Sequence, residues 1–172
     1  QRSASMTNRF DSTVTIRRAV SSDARGIRVI GQRCLGMSWS EKTLAADLDN
    51  IGRSLYFVAV TFDQSVIGFV SCWYVLDEAE IIDLAVVSEY RRQGVAFGMM
   101  AALRAELQKL HVRFLRLEVR ETNRIARLFY QRIGFDEMGY RSDYYPDTRE
   151  AAMLMEQVLN EPDAGANTPP GR

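Results

Sequence analysis

The stretch Arg91-Arg92-Gln93-Gly94-Val95-Ala96-Phe97-Gly98 joins a β-prone run, Ile81 to Val87, to an apolar helical pattern that starts after Gly94. A small-residue turn that opens a helix leaves backbone N–H groups without intrahelical acceptors, at the positive end of the helix dipole. Such a turn can hold a phosphate or pyrophosphate. Gly94 has no side chain to keep an anion away, and Arg91 and Arg92 add charge. No Gly-Lys-Ser/Thr follows, so this is not a Walker A loop, and it is not G-x-G-x-x-G either. From the turn alone two readings stay open: an anion cradle, or an ordinary strand–helix turn with exposed arginines.

Gly94 to Leu110 reads as a helix with Met99, Leu103, Leu107 and Leu110 on one stripe. Upstream, three runs predict strands: Leu55 to Thr61, Val66 to Val75, and Glu80 to Val87. The short turns at Asp63-Gln64 and Asp77-Glu78 imply an antiparallel meander. Before them, Val14 to Ile16 is β-prone, and a helix runs from about Asp23 to Cys34 with Ser21 or Ser22 as N-cap. Ile27, Ile30 and Leu35 share its apolar side, and Gly36 and Met37 end it. Ser38-Trp39-Ser40-Glu41 has capping-box spacing for a second helix to Leu48, with Leu44 and Leu48 as its apolar pair. Downstream, Arg113 to Val119 alternates as a strand. Arg124 to Ile133 is a helix with Ile125, Leu128, Phe129 and Ile133 to one side and Gly134 as its C-cap. Phe135 to Arg141 and Ala151 to Val158 are closing strands. The order is β-α-α-β-β-β-α-β-α-β-β: a mixed sheet with helices on its faces, an α/β (α+β) layered domain.

Composition narrows the chemistry. The chain has 172 residues, enough for one domain with a buried core, and 47% are apolar. Lys plus Arg and Asp plus Glu each number 22, so no basic excess points to nucleic acid or a membrane surface. The basic side is nearly all arginine, Lys42 and Lys109 being the two lysines. A single histidine, His111, excludes a several-histidine metal centre, and any Ser-His-Asp triad would have to use it. Cys34 and Cys72 have no metal or C-x-x-C spacing and read as small buried hydrophobes in a reducing cytoplasm. The longest apolar stretch, Val95 to Leu103, is too short to span a bilayer, and Gln1 to Phe10 lacks a secretory apolar core. Residues 1–12 are expected to be disordered, with Gln1 to Ser5 foreign to a natural start at Met6. Residues 13–160 form the domain, and the Pro- and Gly-containing stretch 161–172 is expected to be a disordered tail.

Arg91-x-x-Gly94-x-Ala96 resembles the R/Q-x-x-G-x-G/A signature of GNAT-fold N-acetyltransferases. Leu117-Glu118-Val119-Arg120-x-x-Asn123, then Leu128-Phe129-Tyr130 and Ile133-Gly134-Phe135, resembles one subgroup, the ribosomal-protein-alanine N-acetyltransferases (RimI) and related protein Nα-acetyltransferases. Trp39-Ser40-Glu41-Lys42 and Tyr144-Tyr145-Pro146 are similar to the same subgroup. The likeness runs from about Val14 to Val158. The glycine signature is shared across the superfamily, whereas the L-E-V-R-x-x-N string with its tyrosine seven residues beyond Asn123 is much more specific.

The resemblance implies a sheet that splays between two parallel strands, those of Leu84 and Glu118, with acetyl-CoA as cosubstrate in the wedge and no metal. It assigns the pantetheine to the backbone of Leu84, Ala85 and Val86. The pyrophosphate falls to the turn of Arg91, Arg92, Gln93, Gly94, Val95, Ala96 and Phe97, with Asn123 helping to hold the cofactor. Two positions depart from the pattern: Ala96 stands where glycine is usual, and Phe97 where a basic residue is frequent. Glu118 is implied as general base and Tyr130 as general acid, with Met37, Trp39, Tyr140, Tyr144 and Tyr145 walling a peptide groove. The acceptor implied is a protein N-terminus, the alanine of a small-subunit ribosomal protein, attacked in a ternary complex in the cytoplasm by a monomer or weak dimer without direct nucleic-acid or membrane contact.

The chemistry is consistent with these residues. A protein α-amine, with a pKa near ~7.7–8.0, needs less base assistance than a lysine near ~10.4. An ordinary Glu near ~4.3 is a weak base for the step, so burial or a relaying water would have to help it. A phenol near ~10 suits protonation of a thiolate. The developing oxyanion needs a donor, such as a backbone N–H freed near Val86.

Other readings stay open beside these. Glu118 could be a surface ion pair, Tyr130 a core cap, Asn123 a helix cap, and Trp39 a core plug. Glu80 and Asp83 are reserve bases. His111 reads as a solvent-facing helix end. Arg124, Arg127 and Arg132 form a solvated face, the first two within reach of CoA phosphates. An acetyltransferase of small amines or lysine side chains and a non-catalytic CoA-binding module are the competing functions.

Overall fold

The computed structural model describes residues 14–161, so the expected disordered ends lie outside the described residues except for Glu161. The strands are β1 (Thr15–Arg18), β2 (Ser54–Val60), β3 (Val66–Val75), β4 (Glu78–Val86), β5 (Phe114–Arg120), β6 (Asp136–Arg141) and β7 (Ala152–Val158). The helices are α1 (Ala24–Leu35), α2 (Glu41–Leu48), α3 (Val95–Lys109) and α4 (Arg124–Arg132), with short 3-10 turns at Ser21–Asp23 and Ser88–Tyr90. The strands hydrogen-bond in the order β1-β2-β3-β4-β5-β7-β6. β4 and β5 are parallel, as a helical crossover through α3 requires, while β1/β2, β5/β7 and β6/β7 are antiparallel. The predicted element order and mixed sheet are therefore present. The place of β7, inserted between β5 and β6, is a matter of long-range pairing. Among the described residues no helix is long and apolar enough to cross a membrane.

The residues gather into two compact units, and β3, β4 and α3 each contribute to both. One unit contains the described residues up to Cys72 together with Asp83–Leu103. Its core is built from Ile27, Ile30, Leu44, Tyr56, Val58, Val60, Phe69 and Ala85. Leu35 does not join it: Gly36, at φ 64°, ends α1 in a left-handed turn, and Leu35 is left exposed. The expected caps also move. Asp23, not Ser21 or Ser22, secures the first helical turn, accepting from the Val20 N–H at 2.8 Å and pairing with Arg17 at 2.7 Å. Ser40, not Ser38, caps α2 by accepting from the Thr43 N–H.

The other unit holds Trp73–Ile82 and the described residues from Arg104 on. β5 alternates as predicted, with Leu115, Leu117 and Val119 buried and Phe114, Arg116, Glu118 and Arg120 half-buried on the opposite face. α4 departs from the expected stripe: Ile125 is 82% and Leu128 52% exposed, while Tyr130 and Ile133 are buried. Edge-on ring packing of Tyr130 against Phe129 and Phe135, centroids 5.3 and 5.5 Å apart, selects the buried side. In β6, Glu137 lies opposite Met155 but Gly139 opposite Leu154, so Met138 is an extra residue. Gly139 supplies the φ of 147° that this bulge needs.

Candidate active site

In the first unit, Leu84 is half-buried and Ala85 and Val86 are buried at the end of β4. Arg92 at φ 60° and Gly94 at φ 79° are both left-handed, and they deliver the chain to α3, whose first bond runs from the Gly98 N–H to the Gly94 carbonyl at 2.9 Å. The N–H groups of Val95, Ala96 and Phe97 lie in the first turn, where a helix offers them no acceptor. Val95 turns its side chain inward, Ala96 is half-buried, and Phe97 is exposed. Arg91 is already engaged: its Nε donates to the Val86 carbonyl at 2.9 Å and a terminal nitrogen lies 3.9 Å from Cys34 Sγ. It clips the turn to the end of β4. Gln93 Nε2 likewise donates to the Glu89 carbonyl at 3.1 Å. Among the described residues the Arg92 side chain makes no hydrogen bond or ion pair, so it is the arginine of the two left to meet an anion.

Met37 and Trp39 belong to this unit as well. Both are half-buried and pack on its core, which gives Trp39 the role of core plug on its inner side. A polar network that sequence reasoning missed lies in the same unit. Tyr56 donates to Asp47 at 2.6 Å and Ser54 to the other Asp47 oxygen at 2.7 Å, and burial followed by the Asp47 bond pushes the Tyr56 phenol up. Asp83 is raised by burial.

The second unit contains Glu118, Tyr130 and Asn123. The parallel ladder of β4 and β5 pairs Glu78–Glu80 with Phe114–Arg116, and Glu118 follows beyond it. Its carboxylate is 3.1 Å from Arg141 Nη1 and accepts from the Tyr144 hydroxyl, the bond that does most to raise the Tyr144 phenol. The surface ion pair of the open alternative thus exists, though only 17% of the Glu118 side chain is exposed. Glu80 is raised first by burial and then by the Glu118 charge, with Arg141 opposing. Tyr144 and Tyr145 stack edge-on, 5.1 Å apart, in the loop before β7. Their N–H groups donate to the Glu150 carbonyl at 3.2 and 3.1 Å. Arg120 holds the same loop through Asp147 at 3.0 Å and Glu150 at 3.5 Å, and its guanidinium lies 4.0 Å over the Tyr145 ring. The Thr122 N–H donates to Glu150 at 2.7 Å.

Tyr130 is buried, and loss of water pushes its phenol up to about 12. Asn123 caps α4, its side chain accepting from the Ala126 N–H at 3.2 Å. Tyr140 is not with the Glu118 group. It lies opposite Met153 of β7, on the sheet face of α4, where Arg127 approaches its hydroxyl at 3.4 Å. Arg127 is itself held by Glu137 at 2.8 Å and the Glu121 carbonyl at 2.7 Å. With Arg124 it lines a cavity of about 680 Å³ beside α4. The structure therefore gathers Glu118, Tyr144 and Tyr145 with Glu80, and adds Arg141 and Arg120, which composition and spacing had not singled out.

Residues 24–135 match the model of the acetyltransferase (GNAT) family. The chain is 36% identical over 143 residues to the [ribosomal protein bS18]-alanine N-acetyltransferase of Escherichia coli K12, covering 82% of this chain and 95% of that one. It is similar to the crystal structure of the ribosomal-protein-S18-alanine N-acetyltransferase from E. coli, with a TM-score of 0.79 and 32% identity over 90% of this chain and 99% of that one. It is also similar to Ard1 from Thermoplasma volcanium, with a TM-score of 0.76 and 28% identity over 87% and 99% of the two chains.

Proposed function

The chain belongs to the GNAT acetyltransferase family, and on that premise we propose that it transfers the acetyl group of acetyl-CoA to the N-terminal α-amine of a protein, with the N-terminal alanine of a small-subunit ribosomal protein as acceptor. One observation carries the acceptor: the relative of that name aligns with this chain over 95% of its own length. A ribosomal acceptor sets the work in the cytoplasm.

The donor set at the turn fits a pyrophosphate: three first-turn amides, a glycine that admits close approach, and the Arg92 guanidinium. Arg91 contributes by fixing the turn against Val86. The backbone of Leu84, Ala85 and Val86 binds the pantetheine, and Asn123 assists at the head of α4. Acetyl-CoA supplies the activated thioester. Glu118 accepts the proton lost by the amine as the C–N bond forms. Tyr130 gives its proton to the sulfur as the C–S bond breaks, a donation its retained hydroxyl proton suits. Tyr144 and Tyr145 flank the entering peptide beside Glu118, and Met37 and Trp39 present the edges that their core packing leaves uncovered.

Acetyl transfer to a peptide beginning with alanine, set against the same peptide with a blocked amine, a lysine-only peptide and a panel of polyamines, tests the acceptor class. The free alanine peptide is expected to be acetylated and the blocked one not. Turnover confined to lysines or polyamines overturns the proposal.

A further inference from the structure

Arg141 reaches Glu118 only because β6 carries an extra residue. In an antiparallel ladder, residues directly opposite share a face, and a strand changes face at every residue. Glu118 lies opposite Leu154, and Leu154 opposite Gly139, so Gly139 and, two residues on, Arg141 share the Glu118 face. Glu137, before the bulge, lies opposite Met155 and turns to α4, where it pairs with Arg127. Were the same residues paired in a regular ladder, with Met138 opposite Leu154, Arg141 would follow Glu137 to the α4 side. Met138 and Gly139 thus move a guanidinium through the sheet and set it 3.1 Å from the Glu118 carboxylate.

The groups around that carboxylate are accounted for from each element packed against it. β4 brings Glu80, β6 brings Arg141, and the following loop brings Tyr144 and Tyr145. On β5 itself the flanking arginines are committed elsewhere, Arg116 to Glu156 and Glu78, and Arg120 to Asp147 and Glu150. β7 presents the uncharged Leu154. Arg141 is consequently the cation that answers two facing carboxylates.

We propose that Arg141 is a positioning residue for the reaction, placed by the β6 bulge to orient the Glu118 carboxylate and to offset the Glu80 charge beside it. The proposal rests on Glu118 being the base. Arg141 is half in solvent, so its worth to stability is small, as for other exposed ion pairs. Its worth lies in the local charge balance. Without it, Glu80 and Glu118 face one another as like charges, and the Glu118 charge that already raises Glu80 goes unopposed.

The test is the pH dependence of kcat at saturating alanine peptide and acetyl-CoA for wild type, Arg141→Gln, Arg141→Lys and Glu118→Gln. The acid limb is expected to move upward by about one pH unit in Arg141→Gln, and by less in Arg141→Lys, which keeps the charge without the fork. A merely structural role would lower kcat alike at every pH and leave the limb in place. If Glu118→Gln abolishes turnover while neither Arg141 variant moves the limb, this inference is overturned and the base assignment stands. If Glu118→Gln turns over like wild type, both fall. Should Arg141→Gln not fold, the smaller shift of Arg141→Lys decides.

Discussion

Tyr130 illustrates how a buried phenol acquires a chemical direction. Its ring is wedged edge-on between Phe129 and Phe135, and the surrounding apolar matter pushes its hydroxyl up to about 12. At neutral pH it keeps its proton, which suits the proposed role of donor rather than acceptor. Phenylalanine retains the two ring contacts and removes only the donor. Tyr130→Phe is therefore expected to fold normally and to bind acetyl-CoA, while kcat falls roughly 10²-fold or more. Steady-state turnover with binding followed separately checks this, and unchanged kcat would remove Tyr130 from the mechanism. Glu118 and Tyr130 could be proposed from the sequence because each sits in a specific string at fixed spacing. Arg141 was not, because its side of the sheet depends on one bulged residue that no local period reveals.

At the scale of elements, the caps and bulges do most to aim side chains. Asn123 closes the head of α4 and stands where the family resemblance assigns a cofactor contact. The two roles separate in one variant: Asn123→Ala is expected to lose about 1 kcal/mol of stability through the cap alone. Chemical denaturation reads that loss. A parallel rise in the KM for acetyl-CoA reports the second role, and a stability loss without it leaves Asn123 a cap. α4 also shows where helical periodicity fails. Apolar residues at Ile125, Leu128, Phe129 and Tyr130 allow more than one buried face, and only packing against Phe135 chooses Tyr130 over Leu128. The capping-box spacing of Ser38 and Glu41 pointed to the wrong serine, because Ser40, two residues on, is the one whose side chain accepts from the Thr43 amide.

For the molecule as a whole, the balanced charge of 22 against 22 leaves no global field to collect an anionic ligand. Binding must come from local features, and the α3 turn, with its free first-turn amides and Arg92, is the proposed one. The full order of strands and helices could be read from hydrophobic periods and turn residues, because those signals are local. The insertion of β7 between β5 and β6 could not, since it joins strands far apart in the chain. On the proposed reading the acceptor is an α-amine. Its most direct test offers one peptide carrying both an N-terminal alanine and an internal lysine, with acetyl-CoA, and locates the added acetyl group by fragment mass. The acetyl is expected on the alanine nitrogen, with the lysine unmodified. Acetyl on the lysine, with the terminus free, would contradict it.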